Sequence, residues 1–174
     1  METKHNLRKA LLVADGGSTK TDWCLAVPHR EPQLFRTRGL NPALLEPPAI
    51  REILQTELLP RLAPHLQGPE TETHIYYYGA GCLPSVCTKM EQALTGLLPR
   101  STAEVHSDLL GAARALCGHE AGIACILGTG SNSCRYDGQD IVQHVSPLGY
   151  ILGDEGSGTA LGKRLIGDWL KGLL

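Results

Sequence analysis

The 174-residue chain has no apolar run approaching the roughly 18 residues that a bilayer span needs. Its N-terminus, METKHNLRKALLVADGG, joins no long apolar segment to a small-residue cleavage site, so no signal peptide is expected. Lysines and arginines are scattered and form no basic block. With a formal net charge of −2, this argues against a general nucleic-acid surface. The cysteines (Cys24, Cys82, Cys87, Cys117, Cys125, Cys134) include no C-x-x-C pair, and the histidines include no H-x-x-x-H pair. The expectation is a cytoplasmic protein with reduced, mostly buried thiols and no stoichiometric zinc or iron. Two phosphate-binding patterns are missing as well: no Gly-Lys-Ser/Thr opens a helix, and no G-x-G-x-x-G follows a strand.

What is present centres on Leu11–Val27, LLVADGGSTKTDWCLAV. Leu11 to Ala14 form a short apolar run of buried-strand length. Asp15-Gly16-Gly17-Ser18-Thr19 supplies turn chemistry, with glycines that tolerate positive φ and hydroxyls that hold a bend. Thr21, Trp23, Leu25 and Val27 then alternate with Asp22, Cys24 and Ala26, the signature of a return strand. The tip is either a plain β-hairpin or a cradle of free N–H groups for phosphate, with Asp15 placed to hold a hydrated Mg²⁺.

The rest of the chain follows a βα rhythm. Gln33–Arg38 reads as a third strand ending at Gly39-Leu40-Asn41-Pro42, where Asn-Pro marks a loop. Pro47-Pro48 opens a helix carrying Ile50, Ile53, Leu54 and Leu58, which Pro60 and Pro64 are expected to stop. Gln67-Gly68-Pro69 is a surface loop, and Ile75–Tyr78 a strand that turns at Gly79-Ala80-Gly81 into a helix from Pro84. That helix is expected to bury Val86, Met90, Ala93, Leu94 and Leu97. Ala103–His106 is another strand, followed at once by Ser107-Asp108 and a third helix through Leu109, Leu110, Ala113 and Leu116 to Gly118. Ser107 is a natural N-cap, and Asp108 suits the positive end of the dipole. Asp108 also sits at the strand–helix edge where α/β sheets bind ligands.

The opening device then recurs. Gly122–Leu127 is a strand, Gly128-Thr129-Gly130-Ser131-Asn132 a turn, Ser133–Tyr136 its return, and Asp140–Val145 a third strand after the Asp137-Gly138 turn. Pro147–Gly158 is a glycine-rich loop, and a helix follows from about Thr159 with Leu161, Leu165, Ile166, Trp169 and Leu173 on its apolar side. The order βββαβαβα followed by βββα is an internal repeat whose second copy ends early. Such a partial copy leaves an open sheet edge and bare apolar surface. The division expected is a first domain over 1–118 and the start of a second over 119–174.

DGGSTKTD, GAGC, SD before the third helix, LGTGSN and LGDEGSG, taken in that order, resemble the actin-like (ribonuclease H-like) sugar kinase and chaperone ATPase superfamily. Within it the chain is similar to the N-acetylglucosamine kinases grouped with BadF/BadG/BcrA/BcrD-type ATPases. The resemblance implies ATP and Mg²⁺ as cofactors and an amino sugar as substrate, phosphorylated on a hydroxyl. It implies Gly16, Gly17, Ser18, Thr19 and Lys20 as the first phosphate loop, with Asp15 near Mg²⁺, and Gly128, Thr129, Gly130 and Ser131 as the second. Asp108 would match the catalytic base, and Asn41 and Asp154 the residues that hold sugar hydroxyls. The alternative role for Asp154 is capping of the last helix.

The family's adenosine contacts would lie past Leu174, so the 174-residue chain alone is expected to show little turnover. No nucleic-acid or membrane partner is expected, and a homodimer is compatible with the resemblance. Two other readings stay open: an ATPase that activates a partner redox enzyme, as in the 2-hydroxyacyl-CoA dehydratase activators, with Cys125 and Cys134 flanking the second loop, or a non-catalytic sugar- or phosphate-binding fragment.

Overall fold

The computed structural model describes residues 8–66, 71–98 and 100–174; the loop expected at Gln67-Gly68-Pro69 lies outside them. Two compact units result, Met1–Asp108 and Leu109–Leu174.

In the first unit, strands β1 (Arg8–Gly16), β2 (Lys20–Ala26) and β3 (Gln33–Arg38) form an antiparallel meander. Parallel strands β4 (Thr71–Gly79) and β5 (Ser101–Ser107) then join to give the sheet order β3-β2-β1-β4-β5. Alternation decides which face is covered. Leu12, Ala14, Trp23, Leu25, Ile75, Tyr77 and Val105 point into one core with the helices, while Leu11 on the other side of β1 is 39% exposed.

The helix opened by Pro47-Pro48 does not stop at Pro60. It runs as α1 (Pro47–Ile53), a π-helical turn (Leu54–Leu58) and α2 (Leu59–Leu62) without a break. Proline lacks an N–H and crowds the preceding turn. The widened π turn immediately before it takes up that mismatch, and Pro60 then occupies the opening turn of α2, where a missing donor costs least. Ile50, Ile53, Leu54, Leu58 and Leu62 are all buried as a result, each contributing roughly 1.5–3 kcal/mol of apolar transfer. Helix α3 (Pro84–Leu97) packs Met90, Ala93 and Leu94 on the same core; Val86 and Leu97 are only half-buried.

Helix α4 (Asp108–Cys117) follows β5 with no intervening residue. From Leu109 onward it clusters with the second unit, because Leu109, Leu110 and Ala113 form a core with Ala124, Cys134 and Tyr136. Leu116, expected on the buried side, is 70% exposed. Strands β6 (Gly122–Leu127), β7 (Ser131–Tyr136) and β8 (Ile141–Val145) form an antiparallel sheet in that order. The glycine-rich loop holds one helical turn, α5 (Gly149–Leu152), before α6 (Gly158–Leu170). The apolar stripe read on α6 is uncovered: Leu161, Leu165, Ile166 and Trp169 are each at least 60% exposed, as is Leu173, which lies past the end of the helix rather than on it. No described helix is long and apolar enough to cross a membrane.

Candidate functional site

Register places the first unit's candidate residues along one edge. Gly16 at the end of β1 pairs with Gly79 at the end of β4, which pairs with Ser107 at the end of β5. At about 4.8 Å between strands, the β1–β2 tip and the start of α4 stand roughly 10 Å apart on the carboxyl edge of parallel strands. Asp108, the first residue of α4, is half-buried there. Its charge reaches the interior, where it helps push up the pKa of both Tyr77 and Cys82.

The first tip is closed by Gly17 N donating to the Lys20 carbonyl at 2.8 Å. Among the described residues no backbone partner is found for the Ser18 and Thr19 N–H groups, which stand exposed at the bend as a phosphate cradle requires. Lys20 is turned aside: its Nζ donates to Asp22 Oδ2 at 2.7 Å, and Arg36 Nε donates to Oδ1 of the same carboxylate at 2.6 Å. Those two cations, Arg36 first, hold Asp22 below the usual carboxylate range. Asp15, cross-strand neighbour of Asp22, stays exposed beside the tip. A single exposed carboxylate beside such a tip fits Mg²⁺, which keeps most of its waters and takes few protein ligands. Among the described residues no group of three or more His, Cys, Asp or Glu side chains is placed to enclose a metal.

The loop carrying Asn41 is laced to this tip. Gly39 N donates to the Thr19 carbonyl at 3.0 Å, and Leu40 N donates to Thr21 Oγ1 at 3.2 Å. Asn41 Nδ2 donates to Ser18 Oγ at 2.9 Å, and its Oδ1 accepts from Ala43 N at 2.9 Å. Asn41 is therefore buried to 8% exposure and linked to the first tip, with one amide hydrogen and one lone pair not used by these two bonds. Gly81, at φ +74°, leaves room for its amide: a Cβ there would collide with Asn41 Oδ1. Sequence reading missed this link, because nothing in a turn asparagine announces a partner 23 residues upstream.

The π turn matters here too. Its Glu57 accepts from Arg38 N at 2.8 Å and from Arg38 Nε, fixing the end of β3 where the Asn41 loop departs. The backbone N–H and then the guanidinium of Arg38 hold Glu57 below its ordinary value of 4.5. A depressed folded-state pKa stabilises above the unfolded value and is lost as pH falls through the folded one. Glu57→Gln is therefore expected to lower the melting temperature at pH 7 but hardly at pH 3. Parallel melting curves at the two pH values check this.

In the second unit, Gly128 N donates to the Gly130 carbonyl at 2.9 Å, closing a tip like the first. The start of α6 is tied to it, with Gly158 N donating to the Gly128 carbonyl at 2.9 Å and Thr159 Oγ1 to the Thr129 carbonyl at 2.6 Å. Asp154 is not the cap of α6. That role falls to Ser157, whose Oγ accepts from Ala160 N at 3.1 Å. Asp154 instead takes φ +60°, a strained value for a residue with a side chain, and its Oδ1 accepts from Ser131 N at 3.2 Å. Asn41 and Asp154 are thus each bonded to the glycine hairpin tip of their own unit. Cys134 is buried with Ala124, whereas Cys125 lies on the opposite, exposed face of β6, so the two thiols of one chain do not converge on a single ion. Burial, before any charge effect, pushes the Cys82 thiol up to about 12.

No family model matches the chain. Nor does any curated protein match it. Solved structures do. A provisionally assigned N-acetylglucosamine kinase of Porphyromonas gingivalis superposes with a TM-score of 0.86 at 48% identity, over 94% of this chain and 57% of that one. A second such assignment, from Chromobacterium violaceum, gives 0.63 at 22% identity, over 89% of this chain and 54% of that one. MamK bound to AMPPNP gives 0.61 at 13% identity, over 94% and 59%. The fold is that of the actin-like ATPases, and the resemblance to N-acetylglucosamine kinases read in the motifs holds at 48% identity. The chain spans a little over half the length of these relatives.

Proposed function

We propose that the chain forms part of a cytoplasmic, ATP-dependent kinase that phosphorylates a hydroxyl of an amino sugar, N-acetylglucosamine or glucosamine. The observation that carries the reading is the alignment of Gly16, Gly79 and Ser107 on one sheet edge. It sets the β1–β2 tip, the Asn41 loop and the Asp108 carboxylate along one edge, which supports reading them as phosphate cradle, sugar contact and base. The likeness to the Porphyromonas gingivalis protein supports the substrate class.

In this reading ATP·Mg²⁺, when bound, supplies the phosphoryl group and part of the charge neutralisation. The chain's own residues bind, orient and deprotonate. In the first unit the Ser18 and Thr19 N–H groups would hold phosphate oxygens and Asp15 the hydrated cation; in the second, the Gly128–Ser131 tip would bind phosphate likewise. Asn41 and Asp154 hold sugar hydroxyls. Asp108 would accept the proton of the attacking hydroxyl.

A phosphorylation screen with glucosamine, N-acetylglucosamine and glucose tests the reading, the 174-residue chain alone being expected to turn over little. Calorimetry of Asn41→Ala should show sugar binding weakened by about tenfold, one hydrogen bond's worth, with ATP binding nearly unchanged. Loss of ATP binding with sugar binding intact would move Asn41 out of the sugar site.

A further inference from the structure

Tyr77 is fully buried beneath this edge and was no part of the site read from the motifs. Its ring passes under two strand ends. A Cβ on Gly16 would strike its hydroxyl end, and a Cβ on Gly79 would strike the ring edge and lie 3.0 Å from Cζ, so both positions are glycine where the ring needs the space. Trp23 braces it from the side at 6.0 Å between ring centroids.

The hydroxyl donates to the Leu40 carbonyl, while Leu40 N donates to Thr21 Oγ1 at 3.2 Å. Both peptide groups of Leu40, itself fully buried, are therefore held by buried side chains. Asn41 is the next residue. Burial, reinforced by Cys82, Asp15 and Asp108, pushes the phenol's pKa well above its ordinary value, which keeps it a proton donor across the working range.

We propose that Tyr77 is the positioning residue of the acceptor loop: its hydroxyl fixes Leu40 and thereby sets where Asn41 stands and how tightly the sugar is held. The affinity part rests on the proposed sugar role of Asn41; the hold on the loop does not. A buried phenol needs a partner for its hydroxyl, and here that partner is the carbonyl of the residue preceding Asn41. Thr21 Oγ1 accepts from the N–H of the same residue, so the loop is gripped on both sides of Leu40.

Tyr77→Phe in the 174-residue chain tests both parts. Hydrogen exchange read by mass spectrometry is expected to rise about tenfold or more over residues 39–45, the cost of leaving the Leu40 carbonyl unpaired, with protection in β1 and β4 retained. Thr21→Val should loosen the same segment, and Thr21→Ser should restore it. Titration with N-acetylglucosamine should show a dissociation constant raised about tenfold in Tyr77→Phe. Exchange over 39–45 equal to wild type, or raised evenly through the first unit, overturns the proposal. Raised exchange with an unchanged sugar dissociation constant overturns its affinity part. A wild-type chain that binds none of the amino sugars instead overturns the kinase reading, and exchange over 39–45 still decides whether Tyr77 holds the loop.

Discussion

Asp108→Asn is expected to lower kcat by about 10²–10⁴ in the turnover-competent protein while leaving sugar binding and the melting temperature nearly as they were. A sugar hydroxyl attacks phosphorus poorly until its proton has a destination. A carboxylate at the start of α4 offers one, and the helix dipole favours its ionised form. Asparagine keeps the shape and the acceptor oxygen for any capping bond, but its amide takes no proton. The substitution thus separates the two roles that sequence alone leaves open for this residue. Rate assays at saturating sugar, with calorimetry on the same variant, check it. Turnover within a few-fold of wild type would reduce Asp108 to a helix-start residue and place the base elsewhere.

The strands and the order of the motifs were legible because they rest on local patterns. Alternation marked β2, short strand-like runs marked β3 and β6 to within the residue, and glycine turns marked both hairpin tips. What stayed hidden depends on partners distant in sequence. Pro60 reads as a stop, and only the π turn before it, which also delivers Glu57 to Arg38, lets the helix continue. Helix α4 reads as the end of the first domain, yet its apolar residues find their partners in β6 and β7. Asp154 reads as a sugar ligand or a cap, and its bond to Ser131 N follows from a left-handed backbone that no spacing rule announces. Tyr77 looks like one of three consecutive tyrosines in a strand. Its role emerges only when Gly16, Gly79 and Leu40 converge on it.

Glycine substitution separates close approach from plain flexibility. Gly39→Ala is expected to destabilise the protein by about 1–3 kcal/mol and to weaken both phosphate and sugar binding. The new methyl would run into the Ser18 carbonyl and sit 2.7 Å from Thr19 N, backbone atoms that have no rotamer to yield. Relief requires moving the end of β3 off the tip, which breaks the 3.0 Å bond from Gly39 N to the Thr19 carbonyl and draws Asn41 away from Ser18. Gly96→Ala is the opposite case. It lies in α3, a Cβ there meets nothing within 4 Å, and alanine holds a helix better than glycine by up to about 1 kcal/mol. At roughly 2–4 °C per kcal/mol for a protein of this size, the two variants should melt on opposite sides of wild type. Only Gly39→Ala should lose ligand affinity. If Gly39→Ala melts and binds like wild type, the loop is not held against the phosphate tip as described, and the coupling of Asn41 to Ser18 has no mechanical basis.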